Sequence, residues 1–216
     1  MGITMDQAFG NNIVKMSGTV ASSPELSHET YGEGFYKFYL ETNRLSGQSD
    51  KLMVIISERL IDVGDLKKGK AIYVEGQYRS YNQLEENNKN RLILFVFVKE
   101  IQQLELCEAF KEINEITATG TICKKPTYRK TPLGRDIADI SLAINRAYNK
   151  SDYIPCIIWG RNAKYCESLE TGTVVQIVGR IQSRNYEKKY DNGKIENRVA
   201  YEVSISKLDV LKDDRK

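Results

Sequence analysis

The sequence is poor in the residues that most catalytic and metal sites need. It has one histidine, His28, and four cysteines in 216 residues. A lone histidine removes the Ser-His-Asp and Cys-His arrangements, which require an imidazole beside the nucleophile. Cys107, Cys123, Cys156 and Cys166 form no C-x-x-C pair, so the ligand spacing of a zinc site is missing. They read as small apolar residues buried in a protein of a reducing compartment. Neither a G-x-x-x-x-G-K-[ST] loop nor a G-x-G-x-x-G turn occurs. The longest apolar run, Leu92 to Val98, has seven residues, and a membrane helix needs about 20. Met1 to Asp6 shows no basic region leading into an apolar stretch. The expectation is a soluble cytoplasmic protein that is not an enzyme, with no cofactor, no metal and no membrane partner.

Apolar residues are 41% and charged residues 28%, a globular balance that argues against disorder over most of the chain. Net charge is +3 but unevenly placed. Residues 1–107 carry 12 Lys and Arg against 14 Asp and Glu, net −2; residues 108–216 carry 20 against 15, net +5. Only the second half is thereby suited to a polyanion.

The chain also repeats itself. At an offset of 102 residues, Asn12 falls on Asn114, Gly18 on Gly120, Pro24 on Pro126 and Leu40 on Leu142. Asn43 and Arg44 fall on Asn145 and Arg146, and Ser49 and Asp50 on Ser151 and Asp152. After one inserted residue, Gly69, Gly76 and Ser80 match Gly172, Gly179 and Ser183. Two copies of one domain are expected, 1–107 and 108–216, joined by a short stiff connector near Cys107–Ile113.

Each copy reads as five strands with a short helix between the third and fourth. In the second copy the strands fall near Glu115–Lys124, around Ile140–Asn145, Asp152–Trp159, Thr173–Asn185 and Val199–Val210. A Pro- and Gly-bearing turn spans Lys125–Gly134, the helix lies in Gly160–Leu169, and a hairpin tip falls at Asp191–Lys194. The first copy has strands near 12–22, 34–44, 51–57, 70–81 and 92–104, with a helical turn near Glu58–Leu66. This order is the layout of the OB-fold, a small partly open barrel, so the predicted class is all-β with two tandem OB-folds.

One face of the second copy interleaves rings and cations. On the third strand Tyr153, Pro155, Ile157 and Trp159 share a side, and Tyr153 and Trp159 are separated by about 20 Å of extended chain. On the fourth strand Arg180, Gln182, Arg184 and Tyr186 share a side, opposite Val175, Ile177, Gly179 and Ile181. Tyr148 sits in a loop between Arg146 and Lys150. Taken singly, a strand tyrosine is more often a half-buried packing residue, and strand cations are often solvated decoration. Together they fit single-stranded nucleic acid, whose bases stack on rings while cations follow the phosphates.

The second copy resembles the bacterial single-stranded-DNA-binding protein family from Asn114 to about Leu211. The resemblance is carried by Asn114–Gly120, Lys125–Arg129, Ile140–Tyr148, Asp152–Ala163, Leu169–Gly172 and Val178–Tyr186. It implies base stacking by Tyr148, Tyr153, Trp159 and Tyr186, and phosphate contact by Arg129, Arg161 and Arg184. Arg146 and Arg180 join that set from their placement beside the rings. In the first copy the four ring positions are Ser46, Lys51, Ser57 and Gln83, so its expected work is structural or partner-binding, although Tyr81 with Arg79 and Gln77 leaves differently routed binding open. The resemblance further implies a homodimer that brings together four OB-folds, and replication or repair proteins as partners. The glycine-rich linker and acidic tip common in the family are not found in Leu211–Lys216. The expected function is largely sequence-independent binding of single-stranded DNA. The alternative is a replication-accessory scaffold that mainly binds proteins. A nuclease would need clustered carboxylates, and Asp136, Asp139 and Asp152 are scattered; DNA and RNA are not distinguished.

Overall fold

The computed structural model describes residues 10–85, 88–105, 112–189 and 193–211. They form a mostly β protein. The first half contains β1 (Asn12–Val20), β2 (Glu25–Thr30), β3 (Glu33–Asn43), β4 (Ser49–Ser57), β5 (Ala71–Leu84) and β6 (Asn90–Leu104). The second contains β7 (Asn114–Lys130), β8 (Asp136–Asn145), β9 (Ser151–Trp159), helix α1 (Arg161–Glu167), β10 (Val174–Lys189) and β11 (Ile195–Val210).

Alternation sets the inward faces. Ile140, Leu142 and Ile144 of β8 are buried, as are Ile154, Cys156 and Ile158 of β9. In the second half the pairings return to their starting strand: β7 with β8, β8 with β9, β9 with β11 in parallel, β11 with β10, and β10 with β7. The first half closes the same way through β1, β3, β4, β6 and β5. Gly76 and Gly179, matched in the repeat, sit at the register shifts of β5 and β10. A Cβ there would meet a facing carbonyl oxygen at 2.1 Å and 2.4 Å respectively. Only glycine lets the strands cross so closely at these bulges.

Three expectations need correction. The first half has six strands rather than five, because the chain leaves the ladder between Val20 and Glu25 and resumes as β2. In β7 the same segment stays paired, and its register shifts between Ile122 and Lys124 and again between Lys124 and Thr127. Pro126 falls inside that second shift, where its missing N–H costs no ladder bond. Most of the expected turn at 125–134 is therefore strand, and the reversal tightens to Thr131–Arg135, closed by Gly134 N donating to Thr131 O at 2.8 Å. Finally, between the third and fourth strands of each repeat an α-helix forms in the second half, while the helical turn expected near Glu58–Leu66 is shorter than a helix. The first half has a three-residue 3-10 turn, Val63–Asp65, capped by Asp62, which accepts from Gly64 N. In α1, Ala163 and Cys166 are buried, with Leu169 just beyond. Most of the expected connector, 106–111, and part of the hairpin tip, Asp191 and Asn192, lie outside the described residues; so does Cys107. Cys156 and Cys166 are buried and Cys123 is half-buried.

The halves join edge to edge, β1 running antiparallel to β7, with Val14 opposite Ile116. Both side chains are fully buried. On either side of this seam the repeat residues reappear as paired locks. Asn12 Nδ2 donates to Tyr78 O at 2.7 Å, and Asn114 Nδ2 donates to Ile181 O at 2.8 Å. Buried Asp50 accepts from Ser183 N at 2.6 Å and from Arg44 through Nε at 2.7 Å and Nη2 at 2.6 Å. Buried Asp152 accepts from Ser80 N at 2.6 Å, and Ser80 Oγ in turn accepts from Tyr153 N at 2.8 Å. The asparagine bonds lie within their own halves, whereas Asp50 to Ser183 and Asp152 to Ser80 cross between them, so each half grips the other through an Asp–Ser pair.

Candidate nucleic-acid interface

Rings come first. Trp159 ends β9 and is 42% exposed, Tyr153 is 50% exposed and Tyr186, on the outer part of β10, 37%. Such exposure leaves ring faces accessible to a ligand. Tyr148 is 84% exposed. It holds φ 60° and ψ 35° in the short turn between β8 and β9, and Asn149 is also left-handed. That conformation costs an L-tyrosine energy and thrusts its ring into solvent. Ile157, expected in the β9 row, is instead 3% exposed. It lies opposite Asp139 on one side and Ser204 on the other, so β8 and β11 flank it.

The β10 row is held from β11. Gln182 and Glu202 are direct cross-strand partners, both buried. Gln182 Nε2 donates to Glu202 Oε1 at 2.8 Å, and Gln182 Oε1 accepts from Arg180 Nη2 at 3.3 Å. Arg184 Nε lies 3.7 Å from the same Glu202 oxygen, and its guanidinium stands 6.0 Å from the centre of the Tyr186 ring. Glu202 therefore orders a line of cations without neutralising all of them. Burial, together with neighbouring Arg44, lowers the pKa of Arg180 from its ordinary value. Glu202 was missed by sequence reasoning, because strand register alone places it opposite Gln182.

Trp159, Arg180 and Arg184 line one hollow of about 650 Å³, whose far wall is Arg44, Gln48 and Ser49 of the first half. Tyr153 faces a smaller hollow of about 270 Å³ with Arg146 and Lys150, across from Tyr81 of the first half. Arg129 and Arg161 are not part of either. Arg129 forks onto Asp139, with Nε to Oδ2 at 2.9 Å and Nη2 to Oδ1 at 3.3 Å. This bond raises the Arg129 pKa. Arg161 is exposed at the start of α1. Arg146 belongs first to the seam: its Nε lies 3.3 Å from Asp152 Oδ2, beside the bond from Ser80.

The single-strand binding protein family model matches residues 113–211. Single-stranded DNA-binding protein B of Bacillus subtilis (strain 168) is 33% identical over 86 residues, which is 35% of this chain and 74% of that protein. The chain belongs to the single-strand binding protein family. Single-stranded DNA-binding protein 1 of Staphylococcus aureus (strain COL) is 34% identical over 84 residues, 36% of this chain and 50% of that protein. The chain spans about half the length of most such curated relatives. Among solved structures, the wild-type single-stranded DNA binding protein from Thermus aquaticus superposes with a TM-score of 0.72 at 22% identity. That match covers 95% of each chain, so the shared fold extends over both halves, whereas the family model matches only the second.

Proposed function

We propose that this family member binds single-stranded DNA without strong sequence preference, and that it does so without catalysis. Each closed ring of strands reads as an OB-fold barrel, giving a domain at 1–107 and another at 108–216. The second carries the principal site. Tyr148, Tyr153, Trp159 and Tyr186 stack bases, and Arg161, Arg180 and Arg184 neutralise phosphates. Arg129 contributes after exchanging Asp139 for a phosphate. Arg146 serves the seam first and the ligand second. The observation that carries the reading is the hollow in which Trp159 meets Arg180 and Arg184. An exposed indole beside two guanidinium groups suits a stacked base with its phosphate.

Each stacked base contributes about 1–3 kcal/mol, and since every base has a flat face, sequence matters little. The carboxylates support a non-enzymatic reading. Asp136 accepts from Tyr128, Asp139 from Arg129 and Asp152 from Ser80, so the three serve separate pairings. The test is titration of Trp159 fluorescence with oligo-dT. Quenching that saturates, and binding that Tyr153→Ala with Trp159→Ala weakens strongly in a parallel gel assay, support the proposal; an unquenched indole overturns it.

A second reading concerns the first domain, which keeps the fold but lacks rings at the four family positions. We propose that it serves assembly, with two chains forming a homodimer of four barrels and with replication or repair proteins as further partners. Light scattering across a concentration series tests this, and a strictly monomeric mass removes it.

A further inference from the structure

Two open strand edges are counterparts in the internal repeat. β2 ends the strand order and pairs with β3 alone, and all six of its residues are exposed. Beyond Lys124, β7 pairs only with β8, because its ladders to β1 and β10 end by Thr121. From Thr127 to Lys130 its outer edge therefore has no partner strand among the described residues. Antiparallel pairing of β1 with β7 sends the hairpins β2–β3 and β7–β8 away from the seam in opposite directions.

The two hairpins share a turn and differ in charge. Gly32 and Gly134 take φ 73° and 74°, and beside them Tyr31 and Leu133 both stand exposed. Residues 25–33 carry three glutamates and no lysine or arginine. Their counterparts at the offset of 102, residues 127–135, carry Arg129, Lys130 and Arg135 and no acid. Part of this charge is used at home. Glu25 lies 3.5 Å from Lys37, Glu33 lies 3.2 Å from Arg59, Arg129 forks onto Asp139, and Lys130 stands opposite Asp136. Glu29 and Arg135 are exposed and make no ion pair among the described residues.

Charge decides which edges can meet. β2 against β2 of another chain would set glutamate against glutamate, and two β7 edges would set cation against cation. β2 against the outer edge of β7 sets unlike charges together, and each edge supplies the other's missing ladder partner. The exposed tips add apolar surface to both hairpins.

We infer that the chain associates with a second copy of itself by strand addition, β2 of one chain lying along the outer edge of β7 of the other. The contact rests on the assembly reading above and gives it a surface. Each chain carries one edge of each sign, so both of its ends take the same kind of partner. It also gives a use to the acidic balance of the first half, which does not suit a polyanion.

The experiment follows the mass of the full chain by light scattering over a concentration series, without nucleic acid. The native chain should associate, and the association should weaken between about 0.05 M and about 1 M salt as screening tightens. One variant joins Glu25→Lys to Glu29→Lys; the other joins Lys130→Glu to Arg135→Glu. Each alone should associate roughly tenfold more weakly, because its two edges now repel. An equimolar mixture should regain native association, since every edge again finds its opposite, and a folding defect would not be repaired by mixing. Two variants that associate as the native chain does overturn the inference and leave the assembly reading standing. A mixture that stays dissociated overturns it as well. If Lys130→Glu with Arg135→Glu keeps the native mass and weakens only oligo-dT binding, the basic hairpin serves the nucleic acid and the inference falls. If the native chain is monomeric at every concentration, the assembly reading fails and takes this contact with it.

Discussion

Val14 pairs across the seam with Ile116, its own counterpart in the internal repeat. An antiparallel register centred on equivalent residues makes the seam self-complementary, the arrangement of a twofold interface fused into one chain. Asn12 pairs with Ala118 as Asn114 pairs with Met16, and Asp50 and Asp152 fall at corresponding sites. The equivalence is not complete in energy, which gives the first prediction.

Asp50 and Asp152 should respond to pH with opposite sign. Burial pushes the Asp50 carboxyl up, but the Arg44 fork and Ser183 outweigh it and hold the pKa below its ordinary value. Burial also pushes Asp152 up, and there it wins, because Arg146 Nε and Asp152 Oδ2 are close without making a hydrogen bond. A depressed carboxylate stabilises the fold above its unfolded pKa, near 3.9, and loses that contribution as pH falls through the folded value. A raised one contributes at acid pH and loses it as pH rises through the folded value. Asp50→Asn should therefore cost about 3 kcal/mol at pH 7 and flatten the acid limb of stability. Asp152→Asn should cost less at pH 7 than at pH 3. Urea midpoints at both pH values decide this.

Arg146 and Arg184 should separate stability from binding. Arg146→Ala breaks the seam beside buried Asp152 and should lower the urea midpoint while changing the salt slope of DNA binding little. Arg184→Ala removes a cation whose side chain is 53% exposed. It should leave the midpoint in place and make the slope shallower by about 0.7. Matched denaturation and salt titrations check the pair, and a reversed pattern would return Arg146 to the ligand.

Tyr148 should show a trade between stability and affinity. Asparagine tolerates the left-handed conformation better than tyrosine does. Tyr148→Asn is expected to raise thermal stability by about 1 kcal/mol and to weaken oligo-dT binding by about tenfold, one stacked base. Calorimetry together with fluorescence titration measures both.

Gly179 should not accept a side chain. The Cβ of Gly179→Ala would lie 2.4 Å from Ser204 O, forcing β10 and β11 apart at a cost of about 3 kcal/mol. Because Arg180 and Gln182 follow directly, Trp159 quenching should weaken in the same variant. A native melting curve would show that the bulge relaxes freely.

Much was legible in the chain by itself. Duplication, strand alternation and the family resemblance rest on residue identity and spacing, which local backbone geometry enforces. Tyr153, Trp159 and Tyr186 could be placed outward from period-two alternation alone, and their exposure agrees. Pairing between distant segments was not legible, since nothing local records which residue lies opposite which. Register across β10 and β11 sets Gln182 on Glu202. The packing of the halves sets Ser80 on Asp152 and puts Tyr39 of β3 and Tyr201 of β11 on one groove. The sequence by itself determined two β-rich repeats and the chemistry of one face. Only the tertiary structure decided which cations are held by buried carboxylates and which stay exposed, because desolvation and ion pairing depend on neighbours far away along the chain.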